Sequence, residues 1–308
     1  MSRYIVRRLL QMVVAFFGTT LFIYALMFGL AGDPLQALAG ERPLNDSQRA
    51  QLTAQYHLDE PFLVQYGYYM QGLLTGNLGR TLAGRQIADV LREAWPRTIQ
   101  LGLMAIAFEI VFGIAFGIIA GLRRGGVFDT TTLAFTLIVI GTPVFVLGTV
   151  FQTVFAVQLG WFRPSYAPEL GPATFLLPAI VLGMLGLATT VRLTRTSVAE
   201  NLRADYVRTA VSKGLPWRRV VGVHVLRNSM IPVVTYLGTD VGLLMGGAIV
   251  TEGIFNIPGV GGFLFRGIRL EDGPLVVTII TLLVTIYLVT NLLVDVLYAV
   301  LDPRIRHE

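Results

Sequence analysis

The chain has 308 residues, 54% of them hydrophobic and 14% charged, with no cysteine and a formal net charge of +5. Soluble domains carry charge on about a quarter of their residues, so a mean hydropathy of +0.66 places this chain in a membrane. The lack of cysteine excludes disulfides, thiolate catalysis and cysteine metal sites.

A helix of about 20 residues spans the roughly 30 Å of bilayer hydrocarbon, and six windows are long and apolar enough to do so. The first covers 9–31. MSRYIVRRLL ahead of it could open a secretory signal, but the apolar stretch exceeds the roughly 7–15 residues of a signal core. The sequence therefore predicts a retained helix; cleavage would leave five crossings. From 32 to 97 the chain leaves the membrane, with room for a small extracytoplasmic cap region. NDSQRAQLTAQY within it predicts a helix capped by Asn45, Asp46 or Ser47. PFLVQYGYYMQGLL (61–74) begins with proline and is rich in aromatics, as expected of a helix at the membrane interface. It reads equally as a cap packed on outer helix ends and as a docking surface.

The second window covers 98–122. The third, 130–157, is long enough to tilt or to bend at Gly141, Thr142 and Pro143. The fourth covers 173–191, the fifth 231–251 and the sixth 275–300, so residues 98–308 form a five-helix core. Between the fourth and fifth lies a polar stretch, about 192–230, with eight basic residues including Lys213, the only lysine.

Short cytoplasmic segments hold the excess of Lys and Arg. With Arg3, Arg7, Arg8, Arg123, Arg124, Arg304 and Arg306 on the same side as that stretch, one face carries fifteen basic residues against nine on the other. Both termini and the 192–230 loop are thus expected in the cytoplasm. The positive charge follows from this asymmetry and calls for no nucleic acid.

Within the loop, residues 195–213 place Val198, Leu202, Tyr206 and Ala210 four apart on one helical face. Gly214 sits where a helix stop needs φ > 0. Leu215 follows, Pro216 can open PWRRVVGVHVLRNSM, and Pro232 can open the fifth membrane helix. The prediction is helix, glycine corner, helix.

A nucleotide site of the phosphate-loop type ends in GK followed by Ser or Thr, and the only lysine, Lys213, is followed by Gly214. His57, His224 and His307 lie far apart, and neither HExxH nor GxSxG occurs. Enzymatic activity has little support. Glu109 and Asp240 fall near the middle of the second and fifth windows, and Asp295 nearer the cytoplasmic end of the sixth. A membrane-buried acid is a functional hypothesis by default. These three have no Arg, Lys or His in mid-window to pair with, so they are protonated, bonded to neighbours such as Thr239 or Asn291, or facing water. A water-filled path explains Asp240 best; an interhelical hydrogen bond serves equally well for Glu109 and better for Asp295. Gly238, Gly242 and Gly246, four apart, form a face that admits close approach of another helix, from this chain or from a second subunit.

DYVRTAVSKG followed by HVLRNSMIPVVT resembles the cytoplasmic loop of permease subunits of bacterial ABC importers of the dipeptide, oligopeptide and nickel group. AGDPLQAL, YHLDEPFLVQYGYYMQGLLTGNLGRTL, GGAIVTEGIFNIPGVG and LVDVLYAVLDPRIR look like the same family, in its order along most of the chain. The resemblance implies an all-α, six-span, type I importer permease of the bacterial inner membrane, forming half of a heterodimeric pore with a second homologous permease. Two ABC ATPase subunits would dock in the cytoplasm and perform the hydrolysis, an extracytoplasmic binding protein would deliver substrate, and this chain would carry no cofactor of its own. The residues that couple to the ATPase would be Asp205, Tyr206, Arg208, Thr209, Ala210, Lys213, Gly214 and Leu215. Where the wider superfamily has Glu-Ala-Ala, this chain has Arg208, Thr209 and Ala210, a variation shared by the peptide and nickel group. Di- or oligopeptides are the expected cargo. Asp240, Thr239 and Glu109 are candidates for the translocation path, and 33–97 with 251–273 for binding-protein docking. The rival class is an ion-coupled secondary transporter using Glu109 and Asp240, and a third reading is a subunit that only scaffolds another permease.

Overall fold

The computed structural model describes residues 2–29, 35 and 45–301, with some side chains in those ranges left undescribed. The described residues are helical apart from turns and one isolated bridge between Arg80 and Gln86. Five helical segments are long and apolar enough to cross a membrane: Val6–Tyr24, Ile87–Leu122, Pro168–Asn201, Trp217–Asp240 and Gly273–Leu292. A sixth is a pair, Val127–Gly141 and Val144–Gln158, bent by 108°. The bend falls at the predicted place, where Thr142 turns extended and Pro143, lacking an N–H, cannot continue the helix. The chain divides into two compact units.

The first unit comprises 1–97 and 258–308. Here α1 (Ser2–Tyr24) packs against α13 (Gly273–Leu301). The two outer helices are α2 (Asp46–Tyr56) and α3 (Phe62–Thr75). Pro61 occupies the N-cap of α3, and Gly76 closes it at φ 78. Three of the four aromatics of α3 turn inward: Phe62, Tyr66 and Tyr69 pack with Phe28 around the buried Tyr24, while Tyr68 stacks on His57. Tyr69 donates to Thr281 Oγ1 at 2.6 Å. Burial pushes its phenol up to about 12, so it stays neutral and keeps that proton to donate. The opposite side of α3 leaves Leu63, Val64, Tyr68 and Leu74 exposed, so both readings of 61–74 stand. Asp272 caps α13 through the Leu275 N–H at 3.2 Å and holds the Leu82 N–H at 3.0 Å, stapling the loop that precedes α4 (Ile87–Phe108).

The second unit is 98–257. It contains the end of α4, a π turn at Glu109–Gly113, α5 (Ile114–Leu122), α6 (Val127–Gly141), α7 (Val144–Phe151) and α8 (Leu176–Asn201). After α8 come α9 (Asp205–Ser212), the short α10 (Trp217–Arg219), a π stretch at Val220–Val225, and α11 (Leu226–Ile254). In the first unit, α12 (Val260–Arg269) packs against α13. The centre of the second unit is α8, which meets α5, α6, α7 and α11. Its apolar window is 78% buried against 28% for Ile87–Leu122, because α8 is ringed by helices while its neighbours turn Ile99, Leu103, Val111, Leu137, Ile138 and Val234 outward. Such apolar exposure is what lipid contact requires.

What brings α5 against α8 is a run of glycines. A Cβ on Gly113 would come within 2.8 Å of Thr190, one on Gly117 within 2.8 Å of the Val191 carbonyl, and one on Gly121 within 2.8 Å of Val198. The glycines and the residues they meet advance together, so the two helices run parallel with backbones almost touching. Within the stripe singled out by spacing, Gly238 behaves differently, since a Cβ there would meet nothing within 4 Å, whereas Gly242 is buried. Pro232, expected to open the fifth helix, lies inside α11.

Candidate functional site

The predicted helix, glycine corner and helix are present with one change. The continuous face from Val198 to Ala210 is interrupted: α8 stops at Asn201, the chain turns through 202–204, and Ala204 is extended at ψ 148 before α9 begins. Val198 therefore belongs to one helix and Ala210 to another. They still meet, because the turn folds α9 back onto a cluster of Val198, Val207, Ala210, Val220 and Val225, edged by Leu202, Leu215 and Ile118. The signal for the interruption is absent from Leu202, Arg203 and Ala204, all good helix formers.

The end of α9 is closed by two backbone bonds. Gly214, at φ 77, donates to the Val211 carbonyl at 2.9 Å, and Leu215 donates to the Ala210 carbonyl at 3.3 Å. This is the double bond of a Schellman cap, and the accompanying apolar contact is made by Leu215 and Ala210 in the same cluster. Glycine is required here because a side chain at that φ is strained.

The corner residues sort by direction. Asp205, Tyr206, Arg208, Thr209, Lys213 and Gly214 are exposed, whereas Val207 and Ala210 are buried and Leu215 is half-buried. Arg208 pairs with Asp205 at 3.5 Å on the exposed face. Tyr206 donates its hydroxyl to Asn201 Oδ1, tying α9 to the end of α8. Ala210 therefore anchors α9 to its own chain, leaving five side chains and the Gly214 backbone outward. Below this corner a second tie joins the α5–α6 turn to α8: Arg195 donates to Asp129 through Nε at 2.6 Å and Nη2 at 2.7 Å, and Asp129 also accepts from the Gly125 N–H at 2.8 Å. Sequence reasoning did not single out this pair, although Asp129 in the first turn of a helix after a GG turn was a visible N-terminal signal.

The candidate path residues divide. Glu109 is 0% exposed and Asp240 4%, so neither lines open water in this structure. Thr190 donates to Glu109 Oε1 at 2.6 Å, and Tyr236 donates to Asp240 Oδ1 at 2.9 Å. The two carboxyl groups are neighbours, and Glu109 Oε2 and Asp240 Oδ2 are buried with no donor. Thr239 is not their partner; its hydroxyl returns to the Tyr236 carbonyl at 2.7 Å. The side chain of Asp295, and the AGDPLQAL and Arg304–Arg306 calls apart from Leu35, lie outside the described residues. Among the described residues no cluster of three or more His, Asp or Glu side chains could hold a metal ion.

Comparisons with known proteins identify the family. The model of the binding-protein-dependent transport system inner membrane component matches residues 113–307, and that of the N-terminal membrane component of such systems matches 1–100. The chain is 38% identical to the di/tripeptide transport system permease protein DppB of Pseudomonas aeruginosa and 37% identical to the dipeptide transport system permease protein DppB of Escherichia coli, each aligned over 100% of both chains. It is 35% identical to the glutathione transport system permease protein GsiC of Escherichia coli, again over 100% of both. The ion-coupled transporter reading has no counterpart among these matches. The chain belongs to the binding-protein-dependent transport system inner membrane components, and is a multi-pass inner-membrane permease subunit of an ABC importer.

Proposed function

We propose that this chain forms half of the translocation path for short peptides, paired with a second homologous permease, two ATP-binding cassette subunits in the cytoplasm and an extracytoplasmic binding protein. Both termini and α9 face the cytoplasm in this reading. The cargo class rests on the relatives, whose names specify di/tripeptides, dipeptides and glutathione. ATP hydrolysis resides in the partner subunits.

The observation that carries the coupling role is the two-sidedness of α9. Its outward side offers Tyr206, Arg208, Thr209 and Lys213 to an ATPase, while Val207 and Ala210 grip the permease. A push on the outward side passes through the valine cluster into α8, the central helix, and into the start of α11. A rigid displacement of that kind switches access without unfolding anything. Val207 and Ala210 thus carry the force, and the charged residues receive it.

The test is co-purification of the chain with the products of neighbouring genes, followed by reconstitution. Di- and tripeptides delivered by the binding protein are expected to stimulate ATP hydrolysis, and Arg208→Glu to abolish that stimulation while the permease pair still assembles. Stimulation by Ni²⁺ and not by peptides would reassign the cargo. Full stimulation in Arg208→Glu would remove α9 from the coupling route.

A further inference from the structure

The coupling role leaves two buried acids of the second unit unused. Glu109 sits at the head of the π turn and Asp240 on α11, both inside segments apolar enough to span the membrane. Each has one oxygen satisfied by a hydroxyl, Thr190 for Glu109 and Tyr236 for Asp240. Each also has one buried oxygen with no donor, Glu109 Oε2 and Asp240 Oδ2. The two side chains touch, yet two bare carboxylates can only accept. A single proton on either resolves both shortages at once: it turns the contact into a hydrogen bond and removes one of two adjacent like charges.

We propose that Glu109 and Asp240 form a proton-binding site, in which one shared proton latches the π turn at Glu109–Gly113 to α11.

The surroundings select a proton over a larger cation. A Cβ placed on Gly186 would fall on the Glu109 carboxylate itself, so the α8 backbone lies directly against that group with no room between them. From α8 the Thr190 hydroxyl meets Glu109 and the Thr189 hydroxyl meets the phenol of Tyr236, which itself meets Asp240 from α11. No Lys, Arg or His is among the groups acting on Glu109. Arg192 is set about 200° around α8 from Thr190, and Arg195 is held by Asp129. The ionisable groups of the site are therefore the two carboxyls and Tyr236. The proton is a structural occupant; the hydrolysis of ATP remains the source of transport energy. Loss of the proton leaves two anions in contact in apolar surroundings, and the latch parts.

The experiment uses the assembled importer in lipid nanodiscs and reads the infrared C=O band of protonated carboxyl groups. At neutral pH the difference between wild type and Glu109→Gln/Asp240→Asn should integrate to one carboxyl group. A difference of zero means both acids are ionised, and a difference of two means each holds its own proton; either result overturns the shared-proton site. Should the double variant fail to assemble, the wild-type band is titrated alone, together with labelling of a cysteine introduced by Gly238→Cys. That thiol is the only one in this chain, so labelling is read on this subunit after the subunits are separated, and Gly238 lies on α11 half a turn from both Tyr236 and Asp240. Loss of the band with rising pH should coincide with a severalfold increase in labelling rate. Labelling that stays constant while the band disappears would show that the proton latches nothing.

Discussion

Replacing Ala210 by glutamate tests whether α9 is held by its apolar face. Ala210 is 5% exposed and Val207 3%, and both belong to the cluster formed with Val198, Val220 and Val225. Burying a valine side chain is worth about 1.5–3 kcal/mol and a methyl group about 0.8 kcal/mol, so these two residues contribute about 2–4 kcal/mol to docking α9. A carboxylate forced into that cluster without a cation loses several kcal/mol of solvation, which exceeds the docking energy. The helix is expected to undock instead of burying the charge. Hydrogen exchange followed by mass spectrometry reads this directly, through the amides of Lys213, Gly214 and Leu215, which donate to Thr209, Val211 and Ala210. A loss of about 3 kcal/mol accelerates their exchange roughly 100-fold. Arg208→Glu is the matched control, since Arg208 is exposed and its ion pair with Asp205 is an exposed one of little worth. Both variants should lose substrate-stimulated ATP hydrolysis, but only Ala210→Glu should lose exchange protection. Unchanged protection in Ala210→Glu would refute the assignment of Ala210 to the anchor.

Two further outcomes follow from the packing of the second unit. Gly117→Leu places its Cβ 2.8 Å from the Val191 carbonyl, so α5 must shift off α8; a loss of at least 1–3 kcal/mol is expected, seen as a lower thermal midpoint in detergent, whereas Gly238→Ala should leave the midpoint unchanged. Asp129→Asn removes the charge that Arg195 faces in a bidentate pair whose side chains are 3% and 18% exposed. The expected loss is about 3 kcal/mol, in the range found when one partner of a buried pair is removed, with partial recovery in Asp129→Asn/Arg195→Gln.

Hydropathy located the spans well because lipid contact imposes a length and an apolar composition on every one of them. The break at Thr142 and Pro143 was legible for the same kind of reason: proline acts locally. The glycine cap of α9 was legible because φ > 0 is a local demand as well. Pro232 misled, since a helix can absorb a proline when neighbouring turns re-satisfy the freed carbonyl, and the π stretch at Val220–Val225 lies just before it. The stop at Asn201 had no local signal; the turn through 202–204 exists because Val207 and Ala210 gain more by folding onto the valine cluster than by extending α8. Spacing singled out Gly238, Gly242 and Gly246, and only the fold shows that Gly113, Gly117 and Gly121 are the glycines that meet α8, while a Cβ on Gly238 would meet nothing within 4 Å. The contact between Glu109 and Asp240 spans more than a hundred residues of sequence and involves no opposite charge, so nothing in either neighbourhood announces it.

The two ends of α9 are closed in different ways, and that sets its mechanics. At the start, Ala204 has no side-chain cap to offer, and the 202–204 turn is held by backbone bonds from Arg203 to Glu200 and from Ala204 to Asn201 and by the Tyr206 hydroxyl on Asn201. At the finish, the bonds from Gly214 and Leu215 close a ring that the apolar contact of Leu215 seals. A beam clamped at both ends carries a load to both supports. In the proposed coupling role, force received along Tyr206–Lys213 is shared between α8, through the Asn201 tie, and α11, through Leu215 and Val220.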